Sequence, residues 1–149
     1  MCKIQAISPK EFFFQFSNNR KENESKIIEF IEKLSPYIEI VFLNDKRRLS
    51  DILYVCSELL NNTCEHIESE MKTASIVIFF AEDSISMQYT DSGDFFTRQN
   101  VKEALESRIS IKSTRKNGRG GGVGTEIITT FATALNIDIT SGALTLFFE

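Results

Sequence analysis

Five of the seven glycines in this 149-residue chain fall between Gly118 and Gly124, in the stretch "NGRGGGVGTEIITTFATALN". They lead directly into a helix predicted from about Thr125 to Leu135, whose apolar face would be Ile127, Ile128, Phe131 and Leu135. A helix that begins there presents unpaired amides and a partial positive charge, which suits a phosphate. The stretch is not a Walker loop, since no Gly-Lys-Ser/Thr follows, and no βαβ unit frames it as a dinucleotide fingerprint. A flexible surface linker is the plain alternative, but linkers rarely deliver glycines straight into an apolar helix.

The remaining elements define the class. "EFFFQFS" reads as a strand, and "NNRKENESKIIEFIEKLSPYI" as a helix with Ile27, Ile28, Ile31 and Leu34 inward, ended by Pro36. A second helix is predicted from Asn44 or Asp45, either of which can cap it, to about Glu68, with Leu49, Ile52, Leu53, Cys56, Leu60 and Ile67 as its stripe. "SIVIFFAEDSISMQYTDSG" reads as two strands about a tight Glu82-Asp83 turn, because Ile85, Met87 and Tyr89 alternate with polar neighbours. A short helix around Val101 to Ser107 follows, and "IDITSGALTLFFE" closes the chain as a hairpin turning at Ser141 and Gly142. Helices and strands therefore mix in an α+β sandwich rather than in alternating βαβ units.

Composition sets the outer limits. A hydrophobic content of 42% with 26% charged residues and two prolines is that of an ordered globular chain, expected to form one domain over residues 1–149. The formal net charge of -4 argues against direct nucleic-acid binding or an anionic membrane as partner. Any basic site must be local. One exists: Arg98, Lys102, Arg108, Lys112, Arg115, Lys116 and Arg119 face only Glu103 and Glu106, the pattern of a mobile segment that closes over an anion or, more plainly, of a solvated basic loop. The cysteines are three, and Cys56 and Cys64 lie too far apart on one helix for a bridge. With no apolar run near the ~20 residues of a membrane span, a reducing, cytoplasmic setting is expected.

Two further stretches carry chemistry. In "ELLNNTCEH", Glu58, Asn62 and His66 recur every four residues, so they project along one line of a helix. That line is either the solvated edge of an amphipathic helix or the wall of a site. In "YTDSGDFF" an apolar strand runs into Asp91, with Gly93 two residues on. A carboxylate at the end of a buried strand is costly without a donor, and the exocyclic amine of a purine is such a donor; an ordinary Asp-Ser-Gly turn is the alternative.

The order of these pieces resembles the GHKL (histidine kinase-like) ATPase superfamily over roughly Asp45 to Glu149, and most nearly the small bacterial anti-sigma-factor serine kinases, whose helix motif reads approximately E-L-V-x-N-A-x-x-H. The resemblance implies a two-layer sandwich of the Bergerat type, with a mixed, mostly antiparallel sheet and helices on one face. It implies ATP and Mg²⁺ as cofactors: Asn62 would ligate the metal, Glu58 would polarise the attacking hydroxyl or water, and Asp91 would accept from the adenine amine with Gly93 beside the base. Gly120, Gly122 and Gly124, together with Arg119 and Thr125, would line the phosphates. These roles agree with what Mg²⁺ and a general base require. The chain departs from the family pattern at Phe95, where a second glycine is usual after Asp91, and at Thr63, where alanine is usual after Asn62.

Three functions are compatible with this reading. The first is an ATP-dependent kinase that phosphorylates a protein on Ser/Thr and partners a sigma factor or an antagonist protein. The second is the ATP-binding domain of a histidine-kinase system acting in trans, because the only histidine, His66, lies within the helix motif. The third, which Phe95 favours, is a non-catalytic module whose nucleotide state sets its shape for a partner. A homodimer is expected from the family, with Phe12 to Phe16 either contributing or, more simply, forming core.

Overall fold

The computed structural model describes residues 7–66, 72–111 and 123–149. In chain order the elements are β1 (Lys10–Phe16), α1 (Arg20–Val41), α2 (Lys46–His66), β2 (Lys72–Phe80), β3 (Ile85–Asp91), a 3-10 turn (Phe95–Thr97), α3 (Gln99–Ile111), α4 (Val123–Phe131), β4 (Ala134–Asp138) and β5 (Ala143–Phe148). The strands form one five-stranded sheet in the order β1-β2-β3-β5-β4. All four neighbouring pairs among the described residues are antiparallel. The protein is therefore α+β, and the sheet is not the mixed one expected.

Strand alternation assigns the two faces of the sheet. Phe14 and Phe16 of β1, Ala74, Ile76 and Ile78 of β2, Ile85, Met87 and Tyr89 of β3, and Leu144, Leu146 and Phe148 of β5 are all buried in one apolar cluster. The helices supply the other half of that cluster: Ile27, Phe30, Leu34 and Ile38 from α1, and Ile52, Val55, Cys56, Leu59 and Leu60 from α2. Phe30 meets Phe12 and Phe14 edge-on, with ring centroids 4.8 and 5.1 Å apart, so the β1 aromatics are core on this side. The opposite face carries Phe13, Phe79 and Phe147 among Ser, Thr and Gln, with Phe13 69% exposed.

Capping explains where the long helices start. The Asn19 side chain accepts from the Glu22 amide at 3.1 Å, and the Asp45 carboxylate accepts from the Arg48 amide at 3.0 Å. Asp45 is thus the cap of α2, while Asn44 takes the left-handed backbone (φ 66°) that turns the chain between α1 and α2. Lys72 Nζ donates to the Cys64 carbonyl at 2.6 Å, placing a cation on the last turn of α2.

Two helix ends differ from expectation. Helix α1 does not stop at Pro36 but runs to Val41, where the Phe42 amide donates to the Ile38 carbonyl at 2.9 Å. Pro36 lies on the exposed face, while Leu34 and Ile38 on either side are fully buried. Burial of those two side chains outweighs one missing amide bond. Helix α4 ends at Phe131, before the predicted Leu135, because the Thr133 amide is committed to the Phe147 carbonyl at 2.7 Å. Leu135 belongs to β4, where it and Ile137 alternate with exposed Ala134, Asn136 and Asp138. The terminal hairpin is accordingly longer, and it turns through Gly142 at φ 74°. Among the described residues no helix is long and apolar enough to cross a membrane.

Because proline is unfavourable in a helix interior even where the fold tolerates it, Pro36→Ala should stabilise the protein by about 1–3 kcal/mol. A shift of the urea midpoint to higher concentration at unchanged slope is the expected readout.

Candidate functional site

The side of α2 that faces the sheet passes through Leu59 and Thr63, both buried. Glu58 and Asn62, one residue earlier in each case, are turned about 100° around the axis and sit half-buried at the edge of that face. Among the described residues no hydrogen bond or ion pair engages the side chain of either. The four-residue line is therefore neither packed core nor fully solvated surface. His66 ends α2.

Opposite this helix, the inward alternation of β3 carries Tyr89 into the core and leaves Asp91 half-buried at the strand end. The Tyr89 hydroxyl lies 2.7 Å from Asp91 Oδ2, 3.2 Å from the Leu59 carbonyl, and in short contact with Thr63 Oγ1. Thr63 Oγ1 in turn lies 3.1 Å from the Leu59 carbonyl. The Gly93 amide donates to the other carboxylate oxygen, Asp91 Oδ1, at 2.9 Å. Two hydroxyl protons must serve this network. An ionised carboxylate is the strongest acceptor present, so Tyr89 donates to Asp91, while Thr63 donates to the Leu59 carbonyl or to the Tyr89 oxygen. Burial and the neighbouring Asp91 charge both push the Tyr89 phenol well above its usual range, which keeps it a donor.

This relay joins α2 to the end of β3, and thereby brings the Asn62 segment and Asp91 to one side of the core. The other expected site residues are distributed as follows. Gly93 lies in the bend between Asp91 and the 3-10 turn. Gly124 and Thr125 are in the first turn of α4, so the backbone there is helical as predicted. Gly120, Gly122 and Arg119 lie outside the described residues, as do Lys112, Arg115 and Lys116 of the basic stretch. Phe95 is in the 3-10 turn, its ring edge-on to Phe96 at 5.1 Å, and Phe96 is edge-on to Tyr89 at 6.0 Å.

Helix α4 packs against α2. Its C-terminal Thr130 and Phe131 share a pocket with Asp45, Arg47, Arg48 and Asp51, and the Phe131 ring lies 6.1 Å from Tyr54. The basic residues nearer the N-terminus of the expected lid have partners within the fold. Arg98 pairs with Asp94 at 3.2 Å, and Lys102 Nζ donates to the Ile137 carbonyl at 2.6 Å while pairing with Glu106. Lys102 thereby ties α3 to β4, while the Arg98–Asp94 pair lies on the surface.

Sequence reasoning missed Thr63 and Tyr89 as members of the site. Signals existed: a tyrosine on the inward alternation of a strand needs a partner for its hydroxyl, and a threonine four residues after Leu59 interrupts the apolar stripe of α2. Among the described residues, no group of three or more His, Cys, Asp or Glu side chains forms a metal cage. No protein-family model matches the chain, and no curated protein does.

The pH dependence of stability tests the burial of this region. The Cys56 thiol, fully buried beside Met87 Sδ at 3.5 Å, is pushed by desolvation from 9.0 up to about 12. A folded pKa raised above the unfolded one stabilises fully below the unfolded value and loses that contribution as pH rises through the folded value. Unfolding free energy should therefore be flat near neutrality and fall from about pH 9 upward, with Tyr89 adding its loss above pH 10. In urea titrations Tyr89→Phe should lose about 1–3 kcal/mol near neutrality and show a shallower alkaline decline.

Proposed function

We propose that the protein is an ATP- and Mg²⁺-dependent regulatory kinase of the GHKL type, a Bergerat-like two-layer sandwich that transfers phosphate to Ser or Thr of a partner protein. The observation that carries this reading is the Asp91 carboxylate, half-buried at a strand end, anchored through both oxygens, and tied by Tyr89 to the helix bearing Glu58 and Asn62. A carboxylate held in that way is an acceptor aimed by design at a donor. The adenine amine fits it.

The remaining roles follow from the chemistry of each group. Asn62 offers a half-buried amide oxygen with no partner among the described residues, which suits Mg²⁺, an ion that takes few protein oxygens and fills its shell with phosphate oxygens and water. When bound, the metal supplies charge neutralisation for the phosphates. Glu58, one turn earlier on the same line and also unengaged, would accept the proton of the attacking hydroxyl. The amino end of α4, with Gly124 and Thr125 in its first turn, would present amides to phosphate, and Gly120, Gly122 and Arg119 would complete that wall. The C-terminus of α4 sits at the N-terminal half of α2, and the reading requires its amino end to lie near Glu58 and Asn62. Phosphoryl transfer asks little covalent work of a protein beyond such positioning and charge.

A second reading, a nucleotide-binding module without turnover, is favoured by Phe95. Its ring is 40% exposed beside Phe96, at the position where the family pattern has glycine. Titration calorimetry with Mg-ATP, followed by phosphotransfer to candidate sigma factors and antagonist proteins, separates the two. Binding with transfer supports the kinase, binding without transfer supports the module, and no binding removes both. On the kinase reading, Glu58→Gln should lower transfer by about 10²–10⁴-fold while leaving ATP affinity nearly intact. Asn62→Ala and Asp91→Asn should instead weaken Mg-ATP binding itself. Full transfer by the Glu58→Gln variant would overturn the assignment of the general base.

A further inference from the structure

We propose that Tyr89, steered by Thr63, is a positioning residue that holds the Asp91 carboxylate as an acceptor-only contact and so sets a preference for adenine over guanine nucleotides. The inference rests on the nucleotide reading of the site and adds to it the two residues that enforce base choice.

The argument is one of proton counting. The four contacts among Tyr89, Thr63, Asp91 and the Leu59 carbonyl divide by where the Tyr89 proton goes. In the first arrangement Tyr89 donates to Asp91 Oδ2, and Thr63 donates to the Tyr89 oxygen or to the Leu59 carbonyl. In the second, Tyr89 donates to Thr63 or to the Leu59 carbonyl, so Asp91 Oδ2 has no donor. The first arrangement wins because a bond to an ionised oxygen is the stronger one. Thr63 favours it, since a Thr63 proton given to the Tyr89 oxygen removes Thr63 as a competing acceptor for the Tyr89 proton.

The geometry makes the hold rigid. Tyr89 is 1% exposed and its ring is braced edge-on by Phe96. The carboxylate is gripped at Oδ2 by Tyr89 and at Oδ1 by the Gly93 amide, at 2.7 and 2.9 Å, so its plane is fixed. Each oxygen keeps a second lone pair for an incoming donor. Adenine presents an amine donor where guanine presents a carbonyl, and a carbonyl facing a fixed carboxylate sets two acceptors against each other. Without the Tyr89 hydroxyl the carboxylate turns on one backbone anchor. It can then rotate away from a guanine carbonyl.

The test is titration calorimetry of the whole chain, as wild type, Tyr89→Phe and Thr63→Val, with Mg-ATP and Mg-GTP, each variant checked for cooperative unfolding. Wild type should prefer ATP. Tyr89→Phe should lose about tenfold in ATP affinity and less in GTP affinity, so the ATP-to-GTP ratio shrinks. Thr63→Val keeps the side-chain shape, removes only the hydroxyl, and should shrink the ratio in the same direction by less. A loss that is only structural would lower both affinities together. An unchanged ratio in a folded Tyr89→Phe protein overturns the inference while leaving the nucleotide reading intact. Should Tyr89→Phe not fold, an unchanged ratio in Thr63→Val overturns it equally. A wild type that binds neither nucleotide removes both the inference and the reading beneath it.

Discussion

A single phenol proton ties the end of β3 to α2 inside this protein. Tyr89 sits at the point where β3 leaves the core, and its hydroxyl must find an acceptor there or cost the fold an unsatisfied buried group. Asp91 is that acceptor, Thr63 completes the chain, and the helix is thereby fastened to the strand through side chains rather than through apolar contact alone. Apolar packing is non-directional and would permit α2 to slide or rotate slightly over the sheet. The Tyr89 hydroxyl resists such sliding, because it meets both Thr63 and the Leu59 carbonyl of α2.

Around this fastening the architecture divides labour between two faces of each element. On α2, the stripe through Ile52, Val55, Cys56, Leu59 and Leu60 does the packing, while Glu58 and Asn62 at its margin are left without partners among the described residues. On β3, Ile85, Met87 and Tyr89 do the packing while Asp91 emerges at the end. The proposed site residues thus lie at the margin of the core on ordered elements, half-buried rather than packed. Phe96 extends the same principle into the loop that follows, since its burial against Tyr89 pins the segment just after Gly93.

Much of this was legible in the chain. The class, the β2–β3 hairpin, the start of α2 and the inward β1 aromatics all followed from periodicity and capping, because each is a local preference that tertiary packing happened to reinforce. The failures were also physical. Pro36 read as a stop because propensity speaks only for the isolated helix, whereas Leu34 and Ile38 carry the helix past it. Leu135 fitted a helical spacing with Phe131, yet the Phe147 carbonyl had already claimed the chain at Thr133. For the site, Glu58, Asn62 and Asp91 were visible as motifs. Thr63 and Tyr89 each left a local signal, but their pairing did not, because a hydrogen bond between residues 26 apart has no local signature. The partners of Arg98 and Lys102 were hidden for the same reason, since contacts in the folded chain cannot be counted from composition.

The turn at Gly142 reaches further than its own hairpin. At φ 74° it needs a residue free of side-chain handedness, and a Cβ there would stand 3.1 Å from Thr97 Cγ2, on the turn that also holds Phe96. The tip of the C-terminal hairpin is therefore a doorstop for the loop beyond Asp91. Evolution or an engineer altering residue 142 would be adjusting, from the far end of the chain, how firmly that loop is shut.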